Sequence, residues 1–279
     1  MSEVHSYAVI GHPVKHSRSP FIHERFARQF DLHFTYGRID AAPEAFTGAV
    51  HRFFSQGGRG LNVTLPHKQS ALGLVSQLTP RAQRAGAINT LSLLEDGSLA
   101  GDNTDGIGLV RDLVDNFGAT VAGRRVLLLG AGGAARGALD PLLELQPSTL
   151  TIANRSADRA QALATEFAGS GELHGCGFAD LQGGAYDLVI NATAASLGNE
   201  ALPLPAGCVD AQSFCYDMVY GAADTPFVHW AQQRGCTRAV MGLGMLVEQA
   251  AESFFIWHGL RPDTAPVLAA LKVELSLQD

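Results

Sequence analysis

Lysine is rare in this sequence of 279 residues. Only Lys15, Lys68 and Lys272 occur, and arginine supplies the rest of the 20 basic side chains. The chain also lacks a basic run, and its formal net charge is -7. Nucleic-acid phosphates are bound by clustered cations, which this composition does not offer. We therefore expect no nucleic-acid partner.

Cysteine is scarce as well, and no two cysteines form a C-x-x-C pair. The four positions are Cys176, Cys208, Cys215 and Cys236. Their irregular spacing argues against both a disulfide framework and a zinc site. No helix-like segment carries two histidines in an H-x-x-x-H pattern, so we expect no bound metal.

Long apolar runs are also absent. The first residues, MSEVHSYAVIGHPV, lack the basic start and the apolar core of a signal peptide. No apolar run approaches the roughly 18 residues that a membrane span requires. These absences predict a soluble, cytoplasmic protein, and 46% hydrophobic residues suffice for full cores in about two domains.

Strand-like and helix-like segments alternate along most of the chain, which predicts an α/β fold with mostly parallel sheets. SYAVI and GLNVTL are typical of buried strands in the first part of the sequence. A second alternating pattern follows residue 105 and begins with RRVLLLG. The helix-like segment GMLVEQAAESFFIWHG breaks this alternation. We therefore expect it to return to the first unit.

A hairpin is predicted around Asp96-Gly97, because Asp-Gly is a favoured tight turn. Folding about a two-residue turn places Asn89 opposite Thr104. Asn89 and Asp105 should then emerge together at the open end of the hairpin.

A nucleotide-binding loop is predicted between an apolar strand and a helix, where Gly130, Gly132 and Ala135 form a G-x-G-x-x-A pattern. The glycines permit a tight turn and a close approach of backbone N–H groups to a pyrophosphate at the helix N-terminus. A tight strand–helix turn without a ligand would give the same pattern. The flanking strand and helix favour nucleotide binding.

The next strand, TLTIAN, should end near the ribose of a bound dinucleotide. Asn154 ends this strand, Arg155 and Ser156 follow it, and Arg159 lies one helical turn further on. NAD-specific sites usually present an acid at this point, whereas two guanidinium groups and a hydroxyl suit a 2′-phosphate. The alternative is that both arginines are only solvated. We predict that the cofactor is NADP.

Lys68 stands just after Pro66, which we expect to be the first residue of a helix. A lysine in the first helical turn, beside the positive end of the dipole, would give up a proton more readily, and an arginine could not do so. A solvated lysine at a helix start is an equally plausible reading of the sequence alone. Asp105 could likewise be an ordinary helix cap.

Eight motifs occur together in the chain: HSRSP, NVTLPHK, GAINTL, GDNTDG, GAGGAARG, NRS, CYDMVY and GLGMLVEQAA. In their order and spacing the chain resembles the shikimate dehydrogenase family over essentially its whole length. The resemblance implies a discontinuous α/β substrate-binding catalytic domain, residues 1–104 plus 242–279, and a Rossmann-type doubly wound NADP domain, residues 105–241. It also implies NADPH-dependent reduction of 3-dehydroshikimate to shikimate in aromatic amino-acid biosynthesis, by a monomer or homodimer without a metal.

Site residues follow from the same resemblance, motif by motif. The family's catalytic lysine falls on Lys68 and its aspartate on Asp105. The substrate's hydroxyl and carboxylate contacts fall on Ser17, Ser19, Thr64, Asn89, Tyr220 and Gln249. The cofactor contacts fall on Gly130, Ala131, Gly132, Gly133, Ala134, Ala135, Asn154, Arg155, Ser156, Arg159, Thr193, Met218 and Gly242. In this interpretation Lys68 supplies or stabilises the proton at the carbonyl oxygen, and Asp105 orients both the lysine and a substrate hydroxyl.

Three positions depart from the family's pattern. Ala194 and Ala195 stand where related sequences are often rich in serine, and Met241 stands where an aspartate is common. A broader paralogue that also oxidises quinate or an aminoshikimate stays open, as does a non-catalytic NADP(H)-binding regulator. The regulator is less favoured because Lys68 and Asp105 are both present.

Overall fold

The computed structural model describes residues 5–181, 183–198, 202–221 and 223–276. These residues form two units, one of residues 5–108 and 247–276 and the other of residues 109–246. The predicted boundaries, after residues 104 and 241, lie a few positions before these crossings. The assignment of substrate to the first unit and cofactor to the second stays a prediction at this point.

The first unit contains a six-stranded mixed sheet in the order β2-β1-β3-β5-β6-β4. Its strands are β1 (His5–Gly11), β2 (Phe34–Asp40), β3 (Gly58–Val63), β4 (Gln77–Leu78), β5 (Thr90–Leu93) and β6 (Leu99–Asp102). β1 is parallel to β2 and β3, whereas β5 is antiparallel to β3 and β6. As a result, β1, β3 and β6 end at the same edge of the sheet where β5 begins.

Helices and apolar side chains cover this sheet. The helices are α1 (Ser19–Gln29), α2 (Phe46–Ser55), α3 (Pro80–Ala85) and α4 (Asp105–Arg111), the last of which spans the point where the chain leaves the unit. Buried side chains such as Ile10, Leu61 and Leu91 form the core. Polar loops lie at the edge of the sheet where β1, β3 and β6 end, which we call its carboxyl edge.

Two local predictions for this unit are wrong. No α-helix begins at Pro66: residues 65–69 form turns, followed by a short 3₁₀ helix, Ser70–Leu74. The physical reason is that the carbonyl of Lys68 accepts a hydrogen bond from Ile88 N at 2.8 Å, so it is not used within a helix. The hairpin register is also shifted by one position, with Thr90 opposite Asp102, because its loop has three residues, 95–97, rather than two.

The second unit contains a six-stranded sheet in the order β12-β11-β10-β7-β8-β9, with every pair parallel. Its strands are β7 (Arg125–Leu129), β8 (Thr149–Asn154), β9 (Leu173–Gly177), β10 (Leu188–Asn191), β11 (Phe214–Asp217) and β12 (Arg238–Met241). Its helices are α5 (Gly133–Glu144), α6 (Ala157–Glu166) and α7 (Pro226–Gln233). Counted from β7, this is the doubly wound order 3-2-1-4-5-6 of dinucleotide-binding domains. The predicted fold class is therefore confirmed.

Strand β7 shows why the second unit folds as a three-layer domain. Val126 and Leu128 are fully buried in the core on one face of the sheet, and Leu127 and Leu129 in the core on the other face. A strand that is apolar on both faces is typical of a parallel sheet covered by helices on each side. Two further α-helices follow among the described residues, α8 (Leu243–His258) and α9 (Ala265–Ser276). Among the described residues, none of the helices has the length and apolar character needed to cross a membrane.

Candidate active site

Lys68 and Asp105 form an ion pair at the carboxyl edge of the first sheet. Lys68 Nζ donates a hydrogen bond to Asp105 Oδ2 at 2.5 Å. The pair is partly shielded, with the lysine side chain 27% and the aspartate side chain 15% exposed. Lys68 lies in a turn rather than in a first helical turn, so the helix-dipole argument made from the sequence does not apply to it. The charge that faces the Lys68 amine is instead the carboxylate of Asp105.

Asn89 holds the second oxygen of the same carboxylate. Its Nδ2 donates to Asp105 Oδ1 at 2.8 Å and to Thr104 Oγ1 at 2.9 Å. Its Oδ1 accepts from Thr104 N at 2.9 Å, which fixes the orientation of the amide. Gln249 Oε1 lies 3.4 Å from both Asn89 Nδ2 and Thr104 Oγ1. The structure thus brings Asn89, Asp105, Lys68 and Gln249 together, and the predicted meeting of Asn89 with Asp105 is confirmed.

Ser17 and Ser19 lie in and after the loop that follows β1. Ser17 Oγ donates to Ser19 Oγ at 3.2 Å and accepts from Ser19 N at 3.3 Å. Arg38 fixes this loop by donating two hydrogen bonds, at 3.0 and 2.7 Å, to the carbonyl of Ser17. Thr64 follows β3, the neighbour of β1, at the same edge of the sheet. These hydroxyls and the Lys68–Asp105 pair therefore belong to one edge.

Sequence reasoning missed two polar residues at this edge, Asn62 and Thr104. Asn62 is buried on β3 and donates to the carbonyl oxygen of Asn89 at 3.2 Å. It stands two positions before Thr64 and so faces the same side of the strand, which the period of a strand could have indicated. Thr104 is part of the GDNTDG motif and is fully buried against Asn89.

The glycine loop of the second unit leaves the N-terminus of α5 open. Gly130 has a φ of +109°, and a Cβ there would lie 3.1 Å from the carbonyl oxygen of Ala192, so a side chain is excluded. A Cβ at Gly132 or Gly133 would meet nothing within 4 Å, which leaves open space in front of the α5 N-terminus. Ala135 is fully buried against the sheet. An accessible helix N-terminus without side chains fits a pyrophosphate.

Ala131 and Ala134 complete this loop and are at least partly exposed. At the end of the neighbouring strand β8, Asn154 Nδ2 donates to the carbonyl of Ser156 at 3.1 Å and so shapes the turn into α6. Arg155, beside Ser156, and Arg159, in α6, are exposed, and neither is paired within the described part of the chain. Two solvated guanidinium groups at this strand end fit a phosphate monoester.

The loops after β10, β11 and β12 carry the remaining predicted cofactor residues. Thr193 follows β10, and its Oγ1 donates to Asn191 Oδ1 at 2.7 Å. A Cβ at Gly242 would lie 3.0 Å from the carbonyl oxygen of Met218, so this close approach requires glycine. The departing residue Met241 is the last residue of β12.

Tyr220 is half-buried in the second unit, in the loop after β11. Its predicted contact with the substrate stays a prediction. Ala194 and Ala195, the other departures from the family's pattern, lie beside Thr193 and keep at least part of their surface exposed.

Asp217, the last residue of β11, holds the loops after β10 and β11 by hydrogen bonds. This buried carboxylate accepts from Ser196 Oγ and Thr225 Oγ1, both at 2.6 Å, and from Asn191 Nδ2 at 3.1 Å. Burial raises its pKa above the ordinary value, and the hydrogen bonds from Ser196 and Thr225 oppose that shift. Across the described residues, no group of three or more His, Cys, Asp or Glu side chains is arranged to hold a metal ion.

Comparison with known proteins identifies the family of both units. Residues 9–91 match the shikimate dehydrogenase substrate binding domain, residues 112–198 match shikimate / quinate 5-dehydrogenase, and residues 242–272 match the shikimate 5′-dehydrogenase C-terminal domain. The shikimate dehydrogenase (NADP(+)) of Aromatoleum aromaticum is 55% identical over 272 residues, which are 96% of this chain and 97% of that protein.

Solved structures of similar proteins match this chain over nearly its whole length. An Ael1 enzyme from Pseudomonas putida is 45% identical, with a TM-score of 0.91 over 97% of this chain and 99% of that one. Shikimate 5-dehydrogenase from Thermus thermophilus, in complex with NADP(H) and shikimate, is 34% identical, with a TM-score of 0.83 over 96% of this chain and 98% of that one.

A doubly wound unit with an open glycine loop, joined to an α/β unit with a lysine–carboxylate pair, defines a two-domain dinucleotide-dependent oxidoreductase. The 55% identity to a shikimate dehydrogenase over 96% of this chain identifies the family within this class. The chain belongs to the shikimate dehydrogenase family.

Proposed function

We propose that this enzyme catalyses the reversible NADP-dependent reduction of 3-dehydroshikimate to shikimate in aromatic amino-acid biosynthesis. One observation carries the proposal above the others: Lys68 Nζ lies 2.5 Å from Asp105 Oδ2, while Asn89 holds the other carboxylate oxygen. A reduction of a ring carbonyl needs a proton donor that is fixed in place, and this pair supplies one. The full-length similarity to NADP-dependent shikimate dehydrogenases supports the same reaction.

The substrate is a small polyhydroxy carboxylate, and the edge of the first sheet offers matching groups. The hydroxyls of Ser17 and Ser19 suit its carboxylate. Thr64, Asn89 and Gln249 offer a hydroxyl and two amides to the ring hydroxyls. Short neutral donors and acceptors of this kind distinguish a hydroxyl from a missing one, because an unmatched buried polar group costs free energy.

Lys68 donates the proton. As negative charge develops on the carbonyl oxygen, the ammonium gives up a proton to it, and the product is a neutral alcohol. The amine then recovers a proton from solvent, which its 27% exposure permits. Asp105 accepts from Lys68 and keeps the amine aimed at the oxygen, so the alkoxide never develops without a partner.

The second unit holds the cofactor. Residues 130–135 offer the open helix N-terminus to the pyrophosphate, and Arg155 with Arg159 suits the 2′-phosphate of NADP. Asn154 and Ser156 shape that turn, and Thr193, Met218 and Gly242 lie on the loops at the same edge of the sheet. NADPH, when bound, supplies the hydride.

Quinate oxidation is the second candidate, since residues 112–198 match a model of shikimate / quinate 5-dehydrogenase. The purified protein should be assayed with shikimate and quinate, each with NADP and NAD, by following absorbance of the reduced cofactor. We expect the highest kcat/KM for shikimate with NADP, and Lys68→Ala serves as the control for contaminating activity. A higher kcat/KM for quinate, or no turnover of shikimate, would contradict the proposal. The cytoplasmic location and the monomeric or homodimeric state stay predictions, the latter open to sedimentation analysis.

A further inference from the structure

Tyr36 lies on β2, two residues before Arg38, which holds the loop that carries Ser17. None of the proposed catalytic steps uses Tyr36. Its hydroxyl donates to Asn62 Oδ1 at 2.6 Å. Burial raises the pKa of this hydroxyl above its ordinary value, against the opposing effects of a hydrogen bond with Ser19 and of the charge of Arg38. The hydroxyl therefore keeps its proton and acts as a fixed donor to Asn62.

Polar contacts on both sides of Tyr36 link the loop that carries Ser17 and Ser19 to Asn62. Ser17 Oγ donates to Ser19 Oγ at 3.2 Å, the Ser19 side chain is a polar neighbour that lowers the pKa of the Tyr36 hydroxyl, and that hydroxyl donates to Asn62 Oδ1. With its oxygen occupied, Asn62 must direct its Nδ2 elsewhere, and it donates to the carbonyl of Asn89 at 3.2 Å. Tyr36 thus has Ser17 and Ser19 on one side. On its other side Asn62 bonds to Asn89, which in turn donates to Asp105.

The ring of Tyr36 is held as firmly as its hydroxyl. His23 is fully buried and stacks on it with ring centroids 4.3 Å apart and an interplanar angle of 10°. Burial lowers the pKa of His23 to about 3, so the stacked imidazole is neutral. Tyr36, Ser19 and Asn62 are only 7–8% exposed. A buried hydrogen-bond network with rigid backing specifies one geometry, and an unmatched member destabilises it.

We propose that Tyr36 is a positioning residue for substrate recognition. It orients the amide of Asn62 directly, and through its neighbour Ser19 it orients the hydroxyls of Ser17 and Ser19. The inference rests on the proposed function, because the ligand it concerns is shikimate. Without the Tyr36 hydroxyl, Asn62 Oδ1 is left buried without its donor, and Ser19 loses a polar neighbour. The Asn62 amide and the serine hydroxyls would then sample other orientations, and shikimate would have to order them on binding.

Tyr36→Phe removes one oxygen and leaves the stack with His23 intact. Loss of one neutral hydrogen-bond partner predicts that the KM and Kd for shikimate rise about three- to tenfold, with kcat changed less than about twofold. Tyr7→Phe is the matched control. Tyr7 pairs with Tyr36 across β1 and β2 and is 5% exposed, and its hydroxyl has no hydrogen bond within the described residues. It should leave KM, Kd and kcat unchanged.

A double-mutant cycle tests whether Tyr36 acts through Ser19. In a Ser19→Ala background, Tyr36→Phe should add less than about twofold to the KM, because coupled changes are not additive. A wild-type protein that neither binds nor turns over shikimate would overturn the proposed function and this inference with it. A wild type that does both, beside a Tyr36→Phe variant that matches Tyr7→Phe in KM and Kd, would overturn the inference alone, even if its melting temperature fell.

Discussion

Lys68 is the residue whose replacement tests the proposed proton transfer most directly. Two substitutions separate its possible roles. Lys68→Ala removes both the charge and the exchangeable proton, whereas Lys68→Arg keeps the charge and can still pair with Asp105 but cannot titrate in the working range. Lys272→Ala, which changes an exposed lysine on α9, is the control for loss of a lysine as such.

The expected losses differ sharply between activity and stability. Positioned proton-transfer groups contribute about a hundred- to ten-thousand-fold to kcat, equivalent to about 2.7–5.4 kcal/mol of activation free energy. The ion pair with Asp105 is partly exposed, at 27% and 15% for the two side chains, and pairs of this kind contribute about 1 kcal/mol or less to stability. Asn89 still donates to the Asp105 carboxylate in the variant. The enzyme should therefore stay folded while turnover collapses.

Steady-state rates with shikimate and NADP, together with thermal melts, give the answer. We expect both Lys68 variants to lose kcat by at least about a hundredfold, with a much smaller change in KM, since the interaction is realised in the transition state. Lys68→Arg with activity near that of the wild type would mean that the residue is a fixed charge. The proton-transfer role would then have to be withdrawn.

Two further predictions concern the cofactor and the response to pH. The double change Arg155→Ala, Arg159→Ala should weaken NADP binding strongly and NAD binding little, and equal losses in Kd for the two cofactors would refute the 2′-phosphate contact. Burial lowers the pKa of His258 to about 4 and that of His23 to about 3, below the ordinary value near 6.5 of the unfolded chain. The unfolded state therefore binds more protons between these values, and the free energy of unfolding should fall as the pH drops from about 6.5 toward 4, by at most about 1.4 kcal/mol per pH unit for each histidine. Urea unfolding at several pH values should give a shallower slope for His258→Phe, and parallel curves for variant and wild type would contradict this.

The fold of the second unit could be predicted from the sequence because its signals are local. Strand β7, the tight turn at Gly130 and the start of α5 are consecutive, and an apolar strand followed by this glycine pattern has few alternatives. The parallel order of the sheet then follows from the right-handed connections of alternating strands and helices. The same locality explains why Arg155 and Arg159 could be assigned to the end of β8.

The details of the first unit were less accessible to such reasoning. The meeting of Asn89 and Asp105 followed from a hairpin, and it survived an error of one position in register, because both residues lie at its open end. The surroundings of Lys68 were mispredicted, since the competing bond from Ile88 lies twenty positions away in sequence. The bond between Tyr36 and Asn62 requires knowledge that β1 separates β2 from β3 in the sheet, which no local pattern indicates.

Buried carboxylates hold the loops of both units, and their energetics explain why. Asp102 accepts from Arg81 Nε and Nη2 at 2.7 and 2.8 Å, from Thr79 Oγ1 at 2.6 Å and from Asn103 N at 2.6 Å. Asp217 gathers a similar set of donors in the second unit. An ionised carboxylate at such depth is unfavourable unless every oxygen is matched, so only one loop conformation is acceptable around it.

The position of Asp102, three residues before Asp105, gives this arrangement its consequence for catalysis. Asn103 N bonds to Asp102, and Asn103 Oδ1 in turn accepts from Asp105 N at 3.1 Å. The backbone that presents the Asp105 carboxylate to Lys68 is therefore fixed from the first acid of the GDNTDG motif to the second. A proton donor works only when it is held near the oxygen that it protonates, and the buried Asp102 carboxylate supplies the rigidity that the proposed role of Lys68 and Asp105 requires.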